Sequence, residues 1–356
     1  MHAETKYDMK TKLERIAKKS SDNKDIKFNS IIHHINLEML EMCHKEMSIG
    51  KATGVDGVSK ESYGENLTEN LTKLLSKMKS FSYKPQPVKR VYIPKAGSNK
   101  MRPLGIPAYE DRLVQSAIAK ILTAIYEPQF MTYSYGFRNQ RGCHMALGAL
   151  TYVLENKRIR YVVDADIKGF FDHLDHEWLI KFLEHKISDR NFIRLLKRIL
   201  KANIIDNGKL MLNTEGAPQG GLCSPVLANI YLHYVLDLWF EKYIKKHCKG
   251  SAHLIRYADD FVCCFEKKEE AEWFYKELQE RLNKFKLELA DDKSKIIMFG
   301  KYASAECIKE GNKQPDTFDF LGFTHYCSTN KKGTRYRVKR KTSKKKFEAS
   351  RSKIKA

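Results

Sequence analysis

The chain is 356 residues long, 42% hydrophobic, and carries a formal net charge of +22. That length can bury a sizeable core and fits two or three domains of roughly 100 to 200 residues each, but no apolar run approaches the ~18 residues of a membrane span. Met1 to Asp8 lacks the apolar centre of a signal peptide, and its acids argue against a transit peptide, so an intracellular protein is expected. The excess of cations points to a polyanionic partner held largely through phosphates, with nucleic acid the obvious one. The charge is uneven: Lys331 to Ala356 carries thirteen Lys or Arg against the single acid Glu348, a basic arm suited to a groove or track. Eight cysteines are scattered without a C-x-x-C pair and read as reduced core cysteines, the adjacent Cys263 and Cys264 as small apolar strand residues.

Residues 1 to about 50 read as helical, with apolar positions at Ile35, Met39, Leu40, Cys43 and Met47. His33, His34 and His44 lack a carboxylate or cysteine at ligand spacing and make no metal site. Gly50 to Gly57 is glycine-rich but is not a P-loop: position 45 is Lys where the first glycine is required, and Ala52 replaces the hydroxyl that would hold Mg²⁺. A helix is predicted over Leu67 to Met78, and Tyr83-Lys84-Pro85-Gln86-Pro87 breaks that pattern. Val88 to Pro94 and Met101 to Ile106 read as two strands around a turn at Gly97-Ser98-Asn99, flanked by Lys95 and Arg102. Those two cations are either solvated hairpin residues or grips for an incoming phosphate. From Asp111 to Tyr126 the apolar residues fall on one helical face, which Pro128 ends. A loop at Ser134 to Arg138 precedes another helix from about Met145 to Leu154.

Tyr161 to Ile167 is a short strand whose period of two puts Asp164 and Asp166 on the same face, where either could reach a metal. Lys168-Gly169-Phe170-Phe171-Asp172 leads to a helix capped at Asp175, and His173 and His176 nearby do not amount to a separate metal site. A helical segment around Phe192 to Leu200 comes next. Gly216 to Pro225 is then a loop dense in Gly and Pro that lets backbone approach a ligand, and a helix from about Val226 to Lys246 follows it. Leu254 to Phe265 reads as a tight hairpin with Asp259 and Asp260 at its turn. Neighbouring strand side chains point to opposite faces, so the two carboxylates converge on one ligand only if the chain bends between or just beside them. Carboxylates held close together resist ionising unless a cation sits between them, and Mg²⁺ prefers such hard oxygen ligands. Beyond the hairpin, Glu269 to Phe285 is amphipathic, Leu287 to Phe299 offers a turn and strand containing Asp291 to Lys295, and Phe318 to Phe323 reads as one more short hairpin.

Placed in order, Gly54-Val55-Asp56-Gly57, Arg102 to Pro107, Ser134 to Arg138, Asp166 to Asp172, Pro218-Gln219-Gly220, Tyr257-Ala258-Asp259-Asp260 and Leu321-Gly322-Phe323 resemble the successive blocks of reverse transcriptases, and among them the bacterial group II intron-encoded type. The resemblance covers nearly the whole chain. It implies an α+β right-hand polymerase fold: an N-terminal extension and mostly helical fingers over 1–160, an antiparallel-sheet palm with interleaved fingers elements over 161–330, and a basic segment, 331–356, leading into a thumb. No thumb or maturase region of that family is expected within these residues.

By the same resemblance the first palm motif selects Asp166 as a metal ligand and Phe171, five residues on, as the aromatic that blocks a sugar 2′-OH, leaving Asp164 as a neighbour. Asp259 and Asp260 complete the catalytic carboxylates, Asp259 the more important for metal binding. Two Mg²⁺ ions, with Mn²⁺ as a substitute, would then activate a primer 3′-oxygen and stabilise departing pyrophosphate. Lys95 and Arg102 resemble the triphosphate-binding pair, Gln219 the residue beside the nucleotide sugar and template base, and Lys293 the lysine near the leaving pyrophosphate. The implied function is an RNA-dependent DNA polymerase that copies its intron RNA from a DNA or RNA primer with dNTPs during retrohoming. It would work in the bacterial cytoplasm within a ribonucleoprotein, with no membrane partner, and assist splicing. Two alternatives stand beside it: an RNA-binding maturase whose polymerase activity is secondary or absent, and a retron- or CRISPR-associated reverse transcriptase. Pro218-Gln219-Gly220 speaks against the diversity-generating type, and the bulk of Phe171 against an RNA-dependent RNA polymerase.

Overall fold

The computed structural model describes residues 8–94, 101–216, 220–303, 307, 308, 311 and 315–355. In chain order the elements begin with α1 (Met9–Asp22), α2 (Leu37–Glu46), α3 (Lys60–Gly64), α4 (Leu67–Lys79), β1 (Val88–Pro94), β2 (Met101–Ile106), α5 (Tyr109–Tyr126) and α6 (Cys143–Asn156). They continue with β3 (Tyr161–Ala165), α7 (His176–Glu184), α8 (Arg190–Leu200), β4 (Ile204–Asp206), β5 (Lys209–Met211) and α9 (Ser224–Leu232). Two π-helical stretches, His233–Asp237 and Phe240–Ile244, and the short α10 (Lys245–His247) follow. The last elements are β6 (Ala252–Tyr257), β7 (Asp260–Phe265), α11 (Lys268–Lys284), β8 (Lys295–Met298), β9 (Phe318–Phe320), β10 (Phe323–Thr329), β11 (Tyr336–Thr342) and a final helix, Lys344–Lys355. No described helix is long and apolar enough to cross a membrane.

The chain divides into two compact units, Met1–Ile93 with Met101–Phe130 and Phe171–Tyr231 in the first, and Pro94–Lys100 with Met131–Phe170 and Leu232–Ala356 in the second. In the first, the apolar face expected of α5 is its core: Leu113, Val114, Ala117, Ile118, Ile121, Leu122 and Ile125 are all fully buried, with α1 and α2 packed on the helix. Each such side chain contributes about 1.5–3 kcal/mol when taken from water, Ala less. The helix α8 is held at its start by Asp189, whose Oδ1 accepts from the backbone N–H of Asn191 and Phe192 while Oδ2 accepts from Ile31 and Ile32. One carboxylate therefore caps a helix and ties down a distant loop. The sheet of this unit runs β2-β1-β4-β5, with β1 parallel to β4 at Val88↔Ile204. Its third and fourth strands are three residues each, too short for an alternation to register in the sequence, where no strand was expected between α8 and the glycine-rich loop.

The second unit contains an antiparallel sheet ordered β6-β7-β3-β8 and a three-stranded sheet ordered β11-β10-β9. In β7 the residues Phe261 to Phe265 are all fully buried, Cys263 and Cys264 among them. A central strand covered on both faces needs no polar alternation, which is why this run reads as continuously apolar. One side of the core gathers Leu147, Leu150 and Leu154 of α6 with Val262, Cys264, Ile297, Phe318 and Phe320. The expected hairpin at Phe318 to Phe323 is present as β9 and the start of β10, with Phe320 paired to Phe323 across Leu321-Gly322.

Candidate active site

The hairpin of β6 and β7 closes in two residues: Tyr257 pairs with Asp260, leaving Ala258 and Asp259 as the turn. The bend falls just before the acidic pair, at Ala258, whose φ of +58° lies in the left-handed region. An L-residue with a Cβ pays about 1–2 kcal/mol for that conformation, so the surroundings must enforce it. Asp259 is thereby the last turn residue and Asp260 the first of β7, the bend that two adjacent carboxylates need if they are to serve one site.

On the neighbouring strand, β3 pairs with β7 from Tyr161↔Phe265 to Ala165↔Phe261. Continuing this register by one residue sets Asp166, just past the end of β3, across from Asp260. The register of β3 with β8 ends at Asp164↔Lys295, and beyond it Lys293 Nζ donates to Asp166 Oδ2 at 2.8 Å. The backbone of Asp166 is pinned as well, its N–H donating to Ser294 Oγ at 3.2 Å and its carbonyl accepting from Ala290 N–H at 2.8 Å. Thus Asp166, Asp259, Asp260 and Lys293 gather at one end of one sheet, and Asp164 stands one step inside.

The electrostatics follow from this crowding. Burial first, then the negative charges of Asp164, Asp259 and Asp166, push the Asp260 carboxyl up to about 7. Asp164 also rises to about 7, chiefly through burial, with Lys295 pulling it down and Asp166 and Asp319 pushing it up. The hydrogen bond to Asp166 holds the Lys293 ammonium above the ordinary lysine range. That pair is well exposed, at 57% and 43%, so it is weak and readily exchanged for another cation.

A hard divalent cation fits this donor set. The carboxylate oxygens repel one another for want of positive charge, and Lys293 marks where such charge belongs. Among the described residues no three His, Cys, Asp or Glu close into a preformed cage.

In the first unit, Phe171 lies in a short 3₁₀ turn, Phe170–Asp172, and lines a cavity of about 390 Å³ with Arg90, Gly105 and Gly216. Gly216 has φ +85°, and a Cβ there would stand 2.8 Å from the Asp172 carbonyl oxygen and 3.0 Å from that of Phe171. Only glycine lets the loop press against the backbone that carries this aromatic. Arg102 is exposed on β2 without an ion-pair partner among the described residues. Lys95 and Gln219 lie outside the described residues.

Sequence reasoning missed two charged groups beneath the hairpin, Arg256 on β6 and Asp237 at the end of the first π stretch, both fully buried and paired. The available signal was an arginine inside an otherwise apolar strand, which demands a buried partner.

Comparison with known proteins agrees with this geometry. The reverse transcriptase (RNA-dependent DNA polymerase) family model matches residues 93–325. The chain belongs to the reverse transcriptase family. Its relatives place it with the group II intron-encoded members. It is 33% identical over 342 residues to the group II intron-encoded protein LtrA of Lactococcus lactis subsp. cremoris, covering 80% of this chain and 57% of that protein. It is 36% identical over 273 residues to protein YkfC of Escherichia coli, covering 68% and 71% respectively. An uncharacterized 91 kDa protein in the cob intron of Schizosaccharomyces pombe is 28% identical over 339 residues, covering 89% and 40%. The chain therefore spans little more than half the length of the lactococcal relative.

Proposed function

We propose that this chain is the polymerase region of a group II intron reverse transcriptase, which copies intron RNA into DNA by two-metal nucleotidyl transfer. The observation that carries the reading is the convergence of Asp166, Asp259 and Asp260 at one sheet end, with Asp260 pushed up to about 7 partly by its acidic neighbours. In this reading the sheet β6-β7-β3-β8 is the palm, the helices and sheet of the first unit belong to the N-terminal extension and fingers, and the basic segment from 331 leads towards a thumb. The domain limits 1–160, 161–330 and 331–356 belong to the same proposal.

Two divalent cations, when bound, supply the Lewis acidity that favours a primer 3′-alkoxide and neutralises the pyrophosphate it displaces. Asp166, Asp259 and Asp260 hold them. The 3′-oxygen bonds to the α-phosphorus of a dNTP as the bond to pyrophosphate breaks, and the hydroxyl proton is released to solvent. Lys293 leaves Asp166 to accompany the departing phosphates, Lys95 and Arg102 grip the triphosphate, Phe171 excludes a 2′-OH, and Gln219 packs beside the sugar. The partners are intron RNA as template, a DNA or RNA primer and dNTPs, in a cytoplasmic ribonucleoprotein.

A role in RNA binding and splicing assistance is supported by α8. Its inward face is Phe192, Ile193, Leu195, Leu196, Ile199 and Leu200, while Arg190, Arg194 and Lys197 are exposed, with Lys201 just beyond the helix. None of these four cations pairs with a carboxylate among the described residues. Primer extension on an RNA template with dNTPs and Mg²⁺, comparing wild type with Asp259→Ala and measuring RNA binding in parallel, tests the reading. Extension by the wild type alone, with binding kept by both, supports the polymerase. Tight RNA binding without extension by either brings the splicing-cofactor reading to the front.

A further inference from the structure

The turn that carries the acidic pair is braced from two sides. From one side, Arg256 Nε and Nη2 donate to Asp237 Oδ1 and Oδ2 at 2.8 and 2.6 Å, and Arg256 Nη1 donates to the Ala258 carbonyl oxygen at 2.9 Å. Both side chains are wholly removed from solvent. A planar guanidinium can hold a carboxylate with one edge and a carbonyl with the other; an ammonium cannot. Asp237 ends the π-helical stretch, where Leu238 N–H reaches back five residues to the His233 carbonyl, and π turns of this kind recur at functional sites. Tyr133 Oη donates to the Asp237 carbonyl at 3.0 Å, fixing the same residue by its backbone. Neighbouring His233, 3.9 Å from Asp237, is buried and held down to about 4, so it stays neutral and leaves Arg256 as the charged partner.

From the other side, the segment Tyr133 to Gly136 runs beside the hairpin. Arg256 N–H donates to the Tyr133 carbonyl at 2.9 Å, and Tyr135 N–H to the Arg256 carbonyl at 2.8 Å. A Cβ on Gly136 would come within 2.2 Å of Ala258 N and 2.8 Å of the Tyr257 carbonyl carbon. The residue before the carboxylates is thus confined between a guanidinium and a glycine.

We infer that Asp237, Arg256 and Gly136 are positioning residues of the polymerase site, holding Ala258 in its left-handed conformation so that Asp259 and Asp260 present their oxygens to one cation site; this rests on the polymerase reading above. The brace acts on the metal-binding carboxylates and not on the dNTP or primer directly. Its loss therefore raises the divalent concentration needed and lowers kcat, while leaving KM for dNTP and affinity for primer–template near wild type.

Two variants separate positioning from mere folding. Asp237→Leu combined with Arg256→Met replaces the buried ion pair by apolar side chains, an exchange that often preserves stability, but removes the donor to Ala258. Gly136→Ala keeps the ion pair and pushes on the turn itself. Each is followed by thermal unfolding, primer–template binding, extension rate against Mg²⁺ concentration, and Tb³⁺ luminescence as a readout of cation binding that needs no turnover. The expected result is a folded protein with kcat down about 100-fold, the cost of a displacement near 1 Å. Mg²⁺ and Tb³⁺ midpoints rise, and binding of primer–template is unchanged. A stable double variant with wild-type kcat and cation midpoints overturns the inference; if the double variant fails to fold, Gly136→Ala with wild-type midpoints overturns it alone. A wild type that binds Tb³⁺ but never extends a primer refutes the polymerase reading instead, and the shift of the Tb³⁺ midpoint in Gly136→Ala still decides whether the turn is braced.

Discussion

Replacing Asp260 by Asn should make the apo chain more stable at alkaline pH while abolishing nucleotidyl transfer. The Asp260 carboxyl is raised to about 7 from an ordinary 3.8. Between those values the folded chain binds the proton and the unfolded chain has released it, so stability falls as pH climbs from about 4 to about 7 and stays low above. At about 1.4 kcal/mol per pKa unit, keeping Asp260 ionised at pH 8 costs the folded state up to about 4 kcal/mol. An asparagine still accepts the backbone hydrogen bond from Leu321 without bearing charge. It recovers part of that cost, on the order of 1–3 kcal/mol, since Asp164 and Asp166 still face each other. At about 1–2 °C per kcal/mol for a chain of this length, the variant should melt a few degrees above wild type at pH 8 in EDTA and by a smaller margin at pH 5, where only roughly a third of the cost has accrued. Added Mg²⁺ should stabilise the wild type at pH 8 and the variant much less, because only a ligand bound by the native state shifts the midpoint. Differential scanning calorimetry at the two pH values reads all of this. A variant that melts below wild type at pH 8, or by the same offset at both values, would refute the account of crowded carboxylates.

Three further outcomes are expected. Phe171→Ala should raise ribonucleotide incorporation by about 10- to 100-fold relative to deoxyribonucleotides, the scale of steric discrimination in a pocket, and unchanged sugar selection in competition assays would remove the gate assignment. Gly216→Ala forces a Cβ against the Phe171 and Asp172 carbonyls at a positive φ; a cost of about 1–3 kcal/mol in stability should accompany weakened sugar selection, and a variant indistinguishable from wild type in both would show that this contact is slack. Removing Arg194 and Lys197 together, as alanines, should lower the slope of log K against log salt for single-stranded RNA by about 1.4 if each neutralises one phosphate. An unaltered slope in filter binding would mean that α8 does not face RNA.

What the sequence made legible was whatever depends on neighbours in the chain. The Asp259-Asp260 hairpin, the buried face of α5 and the cap at Asp175 all follow from local pattern, and all are present. Asp164 and Asp166 share a face by period alone, and only the sheet register, which ends with Asp166 one step past β3, puts the latter across from Asp260. The helix expected from about Val226 to Lys246 is present as one continuous run from Ser224 to His247, but two stretches of it are π-helical, and Asp237 ends the first of them. The partner of Arg256 lies nineteen residues away on that distorted segment, so neither helical nor strand periodicity could have named it.

The arrangement explains why a rigid sheet is needed for such mobile chemistry. Three carboxylates that repel one another will drift apart unless their backbones are fixed by something other than their own side chains. Here the fixing is done below the site: β7 is buried from Phe261 to Phe265, Ser294 and Ala290 hold the Asp166 backbone, and a fully buried ion pair sets the turn. Each device removes freedom from the backbone that carries the carboxylates. In the proposed reading, the repulsion between carboxylates held in place this way would favour binding of a cation between them.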